Sequence, residues 1–143
     1  MNDVTELPPR GLTLKPWWAW AVMHAGKRIE NRSWQTRYRG RIAIHAGRAG
    51  VTPAERLSFA QRVGVAGLVL PDDSAMIHSA IVGRAVLVDC VQLDPAQLGI
   101  WGESGSWHWL LEDVQPIERP VAMPGKLGLW RVDHGSSFHS GAA

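Results

Sequence analysis

Residues 27–48 read KRIENRSWQTRYRGRIAIHAGR, seven basic side chains against one acid. Lys27, Arg28, Arg32, Arg37, Arg39, Arg41 and Arg48 supply the positive charge, Glu30 is the lone carboxylate, and Trp34 and Tyr38 add flat apolar faces. Cations attract phosphate, and an aromatic ring among them gives an unstacked base a surface to lie on. Glu30 is a candidate acceptor for the amino group of a base, as a glutamate accepts from cytosine. Lys27 is a candidate phosphate contact or proton donor. The planar fork of Arg32 suits a phosphate or a carboxylate, and Glu30, two residues away on the same strand face, is one such carboxylate. Trp17 and Trp34 adjoin the basic segment and are the stacking candidates among the eight tryptophans. Trp109 and Trp130 are expected in the core, where aromatic rings dominate. His45, opposite the Ile42/Ile44 face and close to Arg48, is a candidate cleft-lining residue.

The rest of the composition narrows the chemistry. The net charge is only +2, yet residues 1–64 carry eleven Lys/Arg and four Asp/Glu, a balance of +7, while residues 65–143 carry four and nine, a balance of −5. Such asymmetry suits an anionic partner, unless the halves neutralise each other across the fold. Six histidines show no His-x-x-x-His pair and no accompanying carboxylate cluster, so no metal or other cofactor is expected. No phosphate-binding glycine loop or nucleophile elbow is present. Cys90, the sole cysteine, lies in the apolar run AVLVDCV and is expected to pack rather than react. One cysteine allows no internal disulfide, and no apolar stretch approaches the roughly 18 residues of a membrane span, so a cytoplasmic protein with no membrane partner is expected.

The elements that must position these residues can be read from pattern. GLTLK is a short strand, and Pro16 suits the first turn of a helix whose Trp17, Trp20, Ala21 and His24 share a face, with Gly26 ending it. Residues 28–34 and 41–46 read as strands around a turn or bulge at Gly40. Thr52, Pro53 and Glu55 are helix-start chemistry, and Leu57, Ala60 and Val63 or Val65 would form the buried face that follows. AIVGRAVLVDCVQL is a long strand with a bulge at Gly83, and SWHWLLEDVQPI, ERPVAMPG and LGLWRV are closing strands. An α+β fold results, with 143 residues enough for one domain. Residues 1–11 and 133–143 are expected to be loose.

LTLKPWWAW, GKRIENRSW, TRYRGRIAIHA, AIVGRAVLVDCV and LGLWRV together resemble, in order and spacing, the ASCH (activating signal cointegrator homology) domain of the PUA-like superfamily. The resemblance covers residues 12–132. It implies a small PUA-like β-barrel with flanking helices, and a cleft beside the first helix. It also implies a role near RNA, DNA or nucleosides: PUA-like domains read RNA, YTH domains hold a methylated adenine in an aromatic cage, and some small ASCH proteins deacetylate acetylcytidine. Two positions differ from relatives. Lys15 stands where many have Gln, making the implied cleft more basic. Glu30 stands three residues after Lys27, where the small amidohydrolases have Thr.

Two functions follow as expectations. The first is a nucleic-acid or nucleotide binding module for RNA or single-stranded nucleic acid, or a nucleoside, held on the basic strip with one base in an aromatic-and-carboxylate pocket. Its candidate ligand-binding residues are Lys15, Trp17, Lys27, Glu30, Arg32, Trp34, Arg37, Tyr38, Arg39, Arg41 and His45. The alternative is a hydrolase of a modified nucleoside or of RNA, with Lys27 and Glu30 catalytic and Arg32 or Lys15 stabilising the oxyanion. A protein–protein adaptor is a third, weaker reading. The absence of a dense acid/base constellation favours binding. Glu30 is expected to govern ligand preference more than stability.

Overall fold

The computed structural model describes residues 7–133. Eight regular elements follow one another: β1 (Arg10–Leu14), α1 (Pro16–His24), β2 (Ile29–Arg32), β3 (Gly40–Ala46), α2 (Pro53–Val65), β4 (Ala80–Val91), β5 (Trp107–Ala122) and β6 (Leu129–Arg131), with short 3-10 turns at Asp73–Ala75 and Pro95–Gln97. The strands form one sheet in the order β2-β5-β4-β3-β1-β6. Only β1 and β3 run parallel; the other pairs are antiparallel. The sheet curls into a half-barrel with flanking helices, the α+β, PUA-like architecture expected.

Curling requires bulges, and β4–β5 supplies them. Its register shifts between Ile81 and Gly83, between Arg84 and Val86, and between Leu87 and Asp89. Asp113 takes a left-handed conformation (φ 48°) at the middle shift, where β5 carries one more residue than β4. Extra residues increase local twist and bend the strand. This bending lets WHWLLEDVQPIERPVA run as one strand, where two closing strands were expected. Gly83, the expected bulge, sits beside a shift in both its pairings. A Cβ there would collide with Met23 Sδ and lie 2.7 Å from the Gln115 carbonyl oxygen.

Helix α1 has two buried faces. Ala19 and Val22 enter the barrel core with Leu12, Ile42, Ile44, Leu87, Trp109 and Leu111. Trp17, Ala21 and Ala25 pack instead with Phe59, Val63, Met76 and Trp101. A helix buried on both sides is apolar nearly all round, so its pattern names no single inward face. His24, expected beside Trp17, is exposed.

Helix α2 opens on the expected capping box: Thr52 Oγ1 accepts from the Glu55 N–H (3.1 Å), and Glu55 Oε1 accepts from the Thr52 N–H (2.9 Å). Its inner face differs from expectation. Phe59 and Val63 are buried, while Leu57 and Val65 are 62% and 74% exposed. Phe59 meets the rings of Trp17, Trp18, Trp20 and Trp101, and this aromatic cluster sets the helix rotation.

The lead-in is tighter than expected: Leu7 is buried, and Arg10 and Gly11 belong to β1. Residues 1–6 and 134–143 of the expected loose termini lie outside the described residues. Cys90 is a buried free thiol in the barrel core. Among the described residues no helix is long and apolar enough to cross a membrane.

Candidate functional site

The end of α1 delivers Lys27. Gly26 adopts a left-handed conformation (φ 72°) that an L side chain resists, and the Lys27 N–H returns to the Ala21 carbonyl (3.1 Å). The Arg28 guanidinium donates to the Val22 carbonyl (3.0 Å), so this arginine caps a helix end. The tight exit turns Lys27 inward just before β2 begins. A three-residue separation in a continuous strand would have sent Lys27 and Glu30 to opposite faces.

Lys27 is 1% exposed and Glu30 7%. Lys27 Nζ donates to Glu30 Oε1 (2.8 Å) and to the Ile29 carbonyl, and it faces the Trp18 ring at 5.7 Å. Glu30 Oε2 lies 3.1 Å from Arg32 Nε. The Arg32 N–H does not point along that contact, so this buried nitrogen has an ion pair but no hydrogen bond. Arg32 Nη2 donates to the Thr13 carbonyl (2.8 Å), tying β2, at one end of the strand order, to β1 near the other.

At this seam lies a cleft of about 260 Å³, lined by Thr13, Leu14, Lys15, Trp18, Lys27, Glu30, Asn31, Arg32, Arg62 and Glu103. It falls a little below the about 300–1,000 Å³ typical of drug-sized ligands. Four cations and two carboxylates line it, leaving a charge of +2. Lys15 at the rim pairs with Glu55, and this hydrogen bond, with the Thr52 backbone behind it, holds the Glu55 carboxyl down at about 2.

Of the residues singled out in the sequence, Lys15, Lys27, Glu30 and Arg32 share this cleft. Trp17 does not: it is 4% exposed, against Phe59, because α1 turns its neighbour Trp18 to the cleft instead. Trp34 is half exposed but packs edge-on against Trp109 (4.6 Å) beyond the cleft lining, and its carbonyl accepts from the Trp109 indole (3.2 Å). His45 is fully buried, contrary to a cleft-lining role. Its Nε2–H donates to the Met123 carbonyl (2.7 Å), and Nδ1 accepts from Thr13 Oγ1 (3.2 Å), which itself accepts from the Trp130 indole (3.1 Å). Burial lowers the His45 pKa against the opposing effect of the Met123 carbonyl.

Arg37, Tyr38, Arg39 and Arg41 also lie outside the cleft. Tyr38 donates to the Arg41 carbonyl (2.7 Å) and borders a separate groove with Arg10 and Arg131. Arg39 reaches Asp89 (3.2 Å), and Arg56 reaches Asp73 (2.6 Å), so the basic and acidic halves do partly neutralise each other. Glu30, expected to matter little for stability, is also a structural partner of two cations.

Sequence reasoning missed Trp18, Asn31, Arg62 and Glu103. The Asn31 side chain donates to the Trp101 carbonyl (2.9 Å) and accepts from the Glu103 N–H (2.8 Å). His108 Nδ1 accepts from the Leu93 N–H (2.8 Å), so Nε2 carries the proton and donates to the Glu103 carbonyl (2.7 Å). Both backbone groups of Glu103 are thereby pinned. Asn31, adjoining Glu30 in the ENR run, was the one signal available; Arg62 and Glu103 reach the cleft only through α2 and the β4–β5 connection. Among the described residues no group of His, Cys, Asp and Glu could hold a metal.

The fold and the sequence both have relatives. A crystal structure of a point mutant of the ASCH protein ZmASCH from Zymomonas mobilis superposes with a TM-score of 0.51 at 18% identity, covering 92% of this chain and 96% of the other. No curated protein sequence matches. The model of the ASCH domain matches residues 12–120, a span that contains every residue lining the cleft, and the chain belongs to the ASCH domain family.

Proposed function

We propose that this protein binds RNA or another single-stranded nucleic acid, or a nucleoside, with one base held in the cleft. Membership of the ASCH family supports RNA binding or a related function in general. The observation that carries the finer reading is the convergence of Lys27, Glu30 and Arg32 on one concave site beside Trp18. An ionised carboxylate has about four acceptor positions. Lys27 and Arg32 address one oxygen each, so Glu30 keeps capacity for a base amino group. Trp18 supplies the apolar wall, and Lys15 the cationic rim. Arg37, Arg41 and Tyr38 supply a second surface for phosphate or an unstacked base.

The test is titration with the four nucleosides and short single strands. One base should be preferred, and Glu30→Gln should change that preference by about 1–3 kcal/mol. Equal affinity for all four, unchanged in the variant, would remove Glu30 from base recognition.

A second reading, hydrolysis of a modified nucleoside such as acetylcytidine, is favoured by the 2.8 Å contact between the Lys27 amine and Glu30, across which a proton can pass. Against it, both groups are already engaged internally, and Glu30 lacks the neutral hydroxyl donor of a Thr. Wild-type protein is expected not to turn over acetylcytidine. Robust turnover, lost in Lys27→Ala with ligand binding retained, would make hydrolysis the primary function.

A further inference from the structure

We infer that the cleft takes a phosphate-bearing ligand, a nucleotide or a nucleotide within a strand, with Arg62 on α2 and Arg32 on β2 as its anion contacts. This rests on the base-binding reading above. Two buried guanidinium nitrogens among the described residues make no hydrogen bond, Arg32 Nε, which is ion-paired with Glu30 Oε2 at 3.1 Å, and Arg62 Nη1, and both residues line this one cleft. The Arg62 guanidinium is held over the Trp18 ring at 5.6 Å. Its nearby carboxylate, Glu103 Oε2, stands 3.8 Å away, beyond hydrogen-bond reach. Asn31 and His108 pin the Glu103 backbone on both sides.

Donors left unbonded are costly, and a phosphate oxygen is the acceptor that two guanidinium groups from two elements accommodate best. The lining charge of +2 admits a dianion, although Glu30, 3.1 Å from Arg32 Nε, and Glu103, 3.8 Å from Arg62 Nη1, oppose it. A base against Trp18 with its phosphate toward α2 then occupies the cleft. A free nucleoside leaves both donors unmet.

The experiment compares each nucleoside with its 5′- and 3′-monophosphate and with a short single strand, by calorimetric titration at fixed ionic strength. A monophosphate is expected to bind roughly tenfold to hundredfold more tightly than its nucleoside, the yield of a charge-assisted hydrogen bond. Arg62→Gln should erase that difference, and Arg62→Lys, which keeps charge and stem, should restore part of it. Thermal melts of both variants report folding. A strand that outbinds every monophosphate, with the gain lost in Arg62→Gln, identifies an internal phosphodiester; equal binding identifies a terminal phosphate. Monophosphates no tighter than nucleosides would overturn the phosphate site and leave base binding standing. Failure of all three ligand types would overturn both.

Discussion

Glu30→Gln is the most informative perturbation of the cleft, because it tests stability and recognition together. The substitution preserves shape and removes the only carboxylate among the described residues within reach of the Lys27 amine. Breaking a buried ion pair from one side costs about 3–5 kcal/mol, since the surviving charge is left uncompensated. Gln retains one acceptor oxygen for Lys27, and the cleft is open to water at Arg32, whose side chain is 22% exposed. Both features reduce the loss to about 2–3 kcal/mol. In a domain of this size about 1 kcal/mol moves the melting midpoint by roughly 3–4 °C, so a fall of about 6–12 °C is expected. The internal control is Lys27→Met. Alone it strands Glu30 with only Arg32, but combined with Glu30→Gln it removes the uncompensated charge, so the double variant should melt above Glu30→Gln. Near-UV circular dichroism through the melt, with a denaturant titration for ΔΔG, measures all four proteins of the cycle. A Glu30→Gln midpoint within about 2 °C of wild type, with additive single effects, would refute the buried-pair argument.

Other expectations are independent of that pair. Binding of a short single strand should weaken steeply with salt, and replacing Arg37, Arg39 and Arg41 together should flatten the slope, with a small stability loss from the broken Arg39–Asp89 contact; a salt-independent affinity would remove phosphate from the account. His45 makes the fold acid-sensitive. Its pKa is lowered in the folded state, so the unfolded chain takes up the proton first; the contribution is whole above the ordinary 6.5 and is lost as pH falls from there through the native value. The slope is at most about 1.4 kcal/mol per pH unit, and His45→Asn should flatten a stability titration as pH falls below the ordinary histidine range. Gly83→Ala should destabilise by about 1–3 kcal/mol, through collision with Met23 and the Gln115 carbonyl; a neutral result in chemical denaturation would show that α1 yields there.

Local chemistry determined much of this protein. The Thr52–Pro53–Glu55 helix start, the Pro16 start and Gly26 stop of α1, the β-branched run of β4 with its bulge at Gly83, and the grouping of Lys27, Glu30 and Arg32 depend on near neighbours, and a sequence displays near neighbours directly. The ordered series of motifs also carried the family. What the tertiary structure alone decided was orientation. Trp17 and Trp18 adjoin each other and are chemically identical, yet α1 lies between the sheet and α2, so one ring is spent on packing and the other borders the cleft. His45 alternates with Ile42 and Ile44 on a strand buried on both faces, where alternation no longer separates solvent from core. Arg62 and Glu103 enter the site from elements 30 and more residues beyond Arg32, brought there by the packing of Phe59 and by the Asn31 and His108 hydrogen bonds. Such contacts arise from how whole elements pack, and sequence spacing carries no record of that packing.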